Sequence, residues 1–292
     1  MKKWLKMTTA ILSASVILAA CGDGESTGSD DSKGTLKVGL NNWAENVAVS
    51  NMWKVVLEEE GYDVELNELD KTPVWAGLAR GDLDVAPEVW LPITDEPLYE
   101  EYGDDVELHE IWYEGTGLGL AVPTYMDEIN TIEDLATKQD EIDLDQIVGI
   151  DAGASLMQLT HDAVDEYELP YSLIESSEPA MIIELESAYN NQENIVVTAW
   201  NPHWIFSEYD LKYLEDTDLV YGEADDIYWM SRTGFTEDFP EIVEWWNEWY
   251  MNDDQLSELM AVINEVGDPA EGAEQWVDEN RDLINEWIGS AE

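Results

Sequence analysis

Trp43, Trp90 and Trp200 each stand at or just past the end of a run with strand character, at residues 35–40, 85–90 and 195–199. An indole face attracts a cation through the ring quadrupole by roughly 0.5–2 kcal/mol, more as water is excluded. One tryptophan at a strand end is ordinarily packing. Three at equivalent positions form an aromatic box, which suits a cation that cannot donate hydrogen bonds, such as a quaternary ammonium group. Glu45 follows Trp43 by two residues, where it can accept a ligand hydroxyl or serve as a solvated acid at a helix start.

The elements that must position these residues alternate. A helix over 46–61 with inward Val47, Met52, Val55 and Val56 follows the first strand. A second strand over 62–69, a short helix over 73–81 and a third strand over 85–90 come next. This order predicts a parallel sheet covered by helices. The alternation returns with strands at 117–122, 147–150, 173–175 and 195–199 and helices at 156–168 and 181–190, so two α/β lobes are expected. Three helices with acidic outer faces close the chain, at 239–250, 254–265 and 270–288. Ligand sites favour the carboxyl ends of such strands, where the three tryptophans lie.

The 292-residue chain carries 67 acidic and 12 basic residues, a formal charge of −55. Nucleic acid and anionic membrane surfaces are excluded as partners, because no basic patch can be assembled. The 45% hydrophobic and 10% aromatic content supports a folded core rather than an acidic disordered chain. A single cysteine and three histidines argue against a disulfide framework or a metal centre, and no calcium loop of EF-hand pattern occurs.

Residues 1–20 read as a signal peptide: Lys2, Lys3 and Lys6 precede an apolar stretch too short to span a membrane comfortably. The stretch ends in Leu18-Ala19-Ala20-Cys21-Gly22, which resembles a bacterial lipobox, so Cys21 is the expected lipidation site. Residues 21–34 then form a flexible polar tether. Removing residues 1–20 takes away three lysines and no acid, leaving −58. Repulsion on that scale destabilises a compact state unless salt screens it. A lipid-anchored protein outside the membrane of a salt-loving bacterium is expected.

Four segments carry a family resemblance: Asn42-Trp43-Ala44-Glu45-Asn46, Val89-Trp90-Leu91-Pro92, Gly149-Ile150-Asp151-Ala152-Gly153-Ala154-Ser155 and Trp200-Asn201-Pro202-His203-Trp204. The chain resembles the glycine betaine-binding lipoproteins of ABC importers (OpuAC-like) over nearly everything after the tether. The resemblance implies a type II periplasmic-binding-protein fold: two lobes, each a mostly parallel sheet flanked by helices, with the ligand cleft between them. Residues 35–113 plus 227–292 would form lobe I and residues 114–226 lobe II. It implies that Trp43, Trp90 and Trp200 cage a trimethylammonium group. The backbone N–H groups of Ser155 and Leu156 would hold the ligand carboxylate. ABC permease and ATPase subunits are the implied partners of a monomer without a cofactor.

Two positions depart from the family pattern. Some betaine-binding relatives place a His five residues after the cage Trp; here Asp95 stands there, and ionised in the pocket it would disfavour a carboxylate. Choline-binding relatives use a Tyr where this chain has Leu118. Asp95, Glu45 and His203 are thus the further candidate ligand contacts, although His203 also reads as a packed, hydrogen-bonded residue. Trp75, Trp204 and Trp229 are reserve candidates for the pocket wall. Trp245, Trp246 and Trp249 read as core, and Arg232 as the partner of an acid. No nucleophile elbow, phosphate loop or zinc-protease motif is present, so an enzyme is not expected. A choline-binding protein of the same importer class is one alternative. A lipid-anchored carbohydrate-binding protein or hydrolase, with a carboxylate pair in a Trp-rich cleft, is the rival of another class.

The charge yields a test. The melting temperature should rise between low and molar salt; a flat profile in a thermal scan would contradict the screening argument.

Overall fold

The computed structural model describes residues 32–290; the expected signal peptide, Cys21 and most of the tether lie outside them. The first sheet contains β1 (Thr35–Leu40), β2 (Asp63–Glu68), β3 (Val85–Leu91), β4 (Val106–Tyr113) and β10 (Asp226–Arg232), in the order β2-β1-β3-β10-β4. The second contains β5 (Gly117–Pro123), β6 (Gln146–Val148), β7 (Ser172–Ile174), β8 (Val196–Asn201) and β9 (Leu211–Tyr213), in the order β7-β6-β8-β5-β9. All seven residues of β3 are buried, as befits a central strand covered on both faces.

The helices are α1 (Ala44–Glu59), α2 (Lys71–Arg80), α3 (Glu96–Tyr102), α4 (Ile132–Thr137), α5 (Ser155–Glu166), α6 (Glu178–Asn191), α7 (Ile205–Glu208), α8 (Phe235–Asp238), α9 (Pro240–Glu248), α10 (Asp253–Val266), α11 (Pro269–Glu279) and α12 (Arg281–Trp287). Among the described residues, no helix is long and apolar enough to cross a membrane. Along α1, Ala48, Val49, Met52, Trp53, Val56 and Leu57 are buried, the three-to-four spacing of a helix with one face on the core. Gly81 closes α2 in the left-handed conformation (φ 72°), which a residue with a Cβ adopts at a cost.

Each lobe is therefore a mixed sheet of the type II binding-protein architecture. In each sheet four strands run in one direction, and one long-range strand enters antiparallel between two of them: β10 between β3 and β4, and β5 between β8 and β9. Sequence alternation alone shows neither of these insertions, because pairing partners lie about a hundred residues apart. The expected helix over 270–288 is two, broken at Asn280, whose backbone (φ −116°, ψ 29°) leaves the helical region.

Tryptophan fills much of the first lobe. Trp53 packs on Trp246 (5.2 Å between centroids) and Trp112 stacks on Trp249 (4.3 Å). Trp229 meets Trp246 edge-on and stacks on His109 (3.6 Å). Trp229 thus belongs to the core, as does Trp75, which is fully buried beside Tyr99 and Tyr102. Trp246 and Trp249 are buried as expected, and Arg232 pairs with Asp84 (2.8 Å) and Asp238 (2.7 Å).

The chain crosses between the sheets twice, before β5 and before β10, and the crossings are bonded to each other. Thr116 N–H donates to the Asp225 carbonyl (2.8 Å), and Asp225 N–H donates to Thr116 Oγ1 (3.2 Å). The Asp225 carboxylate accepts the N–H groups of Ile93 (2.7 Å) and Thr94 (2.9 Å), tying the crossover to the loop after β3.

Candidate functional site

The carboxyl ends of β1, β3, β6 and β8 meet across the cleft around a small cavity of about 30 Å³. Trp43 and Trp90 enter its wall from the first sheet and Trp200 from the second, and all three rings are buried. Leu118, at the start of β5, fills another part of the wall.

Each of the three indoles donates its Nε1–H to a carboxylate. Trp43 reaches Asp151 Oδ1 (3.1 Å), Trp90 reaches Glu88 Oε1 (2.8 Å) and Trp200 reaches Glu45 Oε2 (2.8 Å). Glu88 and Trp90 are two apart on β3, so the pleat places both on one face. The other two bonds join residues on opposite sides of the cleft. Further bonds do the same: Ala44 N–H donates to Glu178 Oε2 (2.9 Å) and Ser155 Oγ–H to Asp95 Oδ1 (3.2 Å). The lobes are closed on one another.

Asp95 is fully buried and lines the cavity, but it is not a lone anion. Lys71, at the first position of α2, places Nζ 2.7 Å from Asp95 Oδ2 with its side chain 3% exposed. The Trp90 N–H donates to the same carboxylate (2.9 Å). The expectation that Asp95 would repel a ligand carboxylate is corrected here, because its charge is neutralised in place. Lys71 carried no signal in the sequence: a lysine opening a helix opposes the helix dipole and reads as a surface residue. Burial alone would lower the Lys71 pKa, yet Asp95, Glu88 and Glu45 together hold it above its ordinary value. Its ammonium also lies 5.1 Å from the centre of the Trp43 ring.

Glu45 is fully buried at the N-terminus of α1, not a solvated helix acid. Burial pushes its carboxyl well above the ordinary carboxylate range; Glu88 and Glu178 act in the same direction, and the Trp200 bond opposes them. Glu88, also absent from the sequence-based site, is pushed up to about 7, chiefly by burial and against the pull of Lys71. Oε1 of Glu45 and Oε2 of Glu88 have no hydrogen-bond partner.

Ser155 and Leu156 open α5, and both line the cavity. N–H groups in the first turn of a helix have no intrahelical acceptor and favour an anion. The preceding Gly149 permits this approach: a Cβ there would lie 2.5 Å from Met157 Sδ and 3.1 Å from the Ile174 carbonyl.

His203 does not reach the cavity, which corrects its place among the candidate contacts. It packs edge-on against Trp200 (4.5 Å), its Nδ1 accepts the Ile205 N–H (3.1 Å), and its Nε2 faces Glu178 Oε1 at 3.2 Å. Trp204 lines a separate crevice of about 570 Å³ between α1 and α6. Among the described residues, no group of three His, Cys, Asp or Glu is arranged for a metal ion.

An inter-lobe site walled by three indoles and a helix N-terminus defines a solute-binding protein of the two-lobed class. The chain belongs to the family described as the substrate-binding domain of ABC-type glycine betaine transport systems, whose model matches residues 34–279. It is 38% identical over 149 residues to the glycine betaine/carnitine transport binding protein GbuC of Listeria monocytogenes, a match spanning about half of each chain. Among solved structures it is similar to a glycine/betaine/L-proline-binding protein (ProX) of Borrelia burgdorferi. That likeness has 32% identity and a TM-score of 0.82, covering 87% of this chain and 96% of that one. Lactococcal OpuAC, closed on glycine betaine, matches at 29% identity and TM-score 0.79, over 87% of this chain and 99% of that one. An ABC-transporter choline-binding protein holding choline matches at 25% identity and TM-score 0.81, over 88% and 92%. These relatives are transport binding proteins rather than enzymes.

Removing Lys71 should expose its role. Lys71→Met leaves Asp95 charged and buried without its partner, which should destabilise the fold by about 3–5 kcal/mol. Adding Asp95→Asn should restore much of the loss. Denaturant unfolding of the single and double variants measures both.

Proposed function

We propose that this chain captures glycine betaine, or a similar quaternary ammonium solute, outside the cell and delivers it to an ABC permease driven by its ATPase, for osmoprotection. The observation that carries this reading is the trio of indoles, two from one lobe and one from the other, around a closed cavity with a helix N-terminus beside it. Trp43, Trp90 and Trp200 would hold the trimethylammonium group by their faces. The N–H groups of Ser155 and Leu156 would take the carboxylate, with the Lys71 ammonium nearby. With Asp95 paired to Lys71, its charge no longer opposes an anion at that end.

A cage completed only when the lobes meet gives the ligand a higher affinity for the closed state, and that difference is what can drive closure. Residues 35–113 with 227–292 would move as one body and residues 114–226 as the other, about the paired crossings at Thr116 and Asp225. Choline is the second reading, supported by the carboxyls of Glu45 and Glu88 beside the cage, while Leu118, standing where choline-binding relatives use a Tyr, counts against it. A carbohydrate ligand is the less supported reading, because the family model and the relatives named above are those of glycine betaine and choline transport. Cys21 would carry lipid and anchor a monomer to the outer face of the cytoplasmic membrane, with multiple acyl chains holding it stably.

Two measurements test this reading. Replacing any one of Trp43, Trp90 or Trp200 by Ala should weaken glycine betaine binding by about 1–3 kcal/mol, from lost cation–π attraction and burial. Near wild-type affinity for all three in titration calorimetry would remove the cage. Cys21→Ser should release the protein from the membrane fraction or leave it unprocessed, as read from fractionation and the mass of the mature chain.

A further inference from the structure

The charges around the cavity do not balance without a ligand. Lys71 and Asp95 neutralise each other at 2.7 Å. Glu45 and Glu88 remain, 0% and 2% exposed, each with one oxygen on a cage indole N–H and the other with no partner. The Asn46 amide beside Glu88 favours its ionised form but leaves burial the stronger influence. Two such carboxylates cannot both stay ionised in a dry cavity, because desolvation of an unpaired charge is met by proton uptake.

No other group facing them supplies the missing cation. Glu178, from α6, adds negative charge; its oxygens are engaged by the Ala44 N–H and by His203 Nε2. The His203 Nδ1 accepts a backbone N–H, so a neutral ring carries its proton on Nε2, turned to Glu178 and away from the two glutamates. Asp151, from the loop before α5, is a third acid, on the Trp43 indole. Among the described residues the only fixed cation lining the cavity is Lys71, and Asp95 already has it.

We propose that Glu45 and Glu88 set which ligand charge the site accepts: a fully cationic ligand displaces a proton from this pair, whereas a zwitterion binds with the proton kept. In the first case the carboxyl O–H bond breaks, the proton passes to a buffer base, and the carboxylate becomes the counter-ion of the caged cation. In the second the ligand brings its own anion to the Ser155 end, which cancels much of the field that would expel the proton. The inference rests on the cage reading and adds a pH-dependent selectivity to it. The carboxyl of Glu88, pushed up to about 7, places the exchange at mildly acidic to neutral pH, and burial raises Glu45 in the same direction. Both folded pKa values lie above those of a free carboxyl. The proton is therefore bound in the empty site below about pH 7, and the penalty for expelling it falls as pH rises.

The test is titration calorimetry of the full-length protein at pH 6 in two buffers of different ionisation enthalpy, with choline and glycine betaine as the two ligands. Choline should release up to about one proton and glycine betaine close to none. Choline affinity should rise by up to about tenfold per pH unit between pH 5 and 7 while glycine betaine affinity changes little. Glu88→Gln keeps an oxygen for the Trp90 indole but cannot ionise; it should cut the choline proton release and shift the affinity ratio towards betaine. Equal proton release with both ligands, or choline binding with no release and no pH dependence, overturns the proposal. Betaine binding without any choline binding overturns it too and leaves the cage standing. If neither ligand binds, the cage reading falls, and this one with it.

Discussion

The interior of the cleft holds more negative charge than its single buried lysine can answer, and the arrangement of the site follows from that imbalance. Carboxylates withdrawn from water need donors. Lys71 serves Asp95, and three indole N–H groups serve Asp151, Glu88 and Glu45. Tryptophan does here what phenylalanine could not. Its Nε1–H satisfies an acid while the ring lines the cavity, and a negative charge at that edge strengthens the attraction of the ring face for a cation. The remaining unpartnered oxygens of Glu45 and Glu88 make a cation the natural completion of the cavity.

The same bonds make closure and recognition one event. Trp43 with Asp151 and Trp200 with Glu45 both join the two sides of the cleft, so the rings are fixed only when the lobes meet. Ser155 with Asp95 adds a third contact and connects the helix that favours an anion to the Lys71 pair. At the other end of the loop after β3, Asp225 accepts from Ile93 and Thr94. The loop that carries Asp95 is thereby bonded to the crossover about which the lobes would turn.

Outside the cleft the molecule solves a different problem with the same residue types. Sixty-seven acids and a charge of −55 leave the surface repelling itself, and two of the few cations, Arg232 and Arg281, each serve two acids at once. Arg232 bridges Asp84 and Asp238. Cohesion comes instead from a core of stacked and edge-on tryptophans in the first lobe, around Trp53, Trp112, Trp246 and Trp249. Large rings bury more area per residue than aliphatic chains, which suits a fold that must hold against its own charge.

The sequence by itself determined the alternation of strand and helix, the strand ends that line the cleft, the three tryptophans of its wall and the helix start at Ser155. All of these are local: periodicities of two and 3.6 residues, a glycine where Met157 and Ile174 close in, and motifs read in contiguous segments. Only the tertiary structure decided the antiparallel entry of β10 and β5, since pairing across a hundred residues leaves no local trace. The pairing of Lys71 with Asp95 was likewise invisible, although it reverses the meaning of Asp95. Glu88 and Glu45 looked like two acids among 67, and His203 looked like a contact when it is a support behind Trp200. Charge is read from a sequence as a sum. Burial, which sets what each charge is worth, exists only once the two lobes have come together.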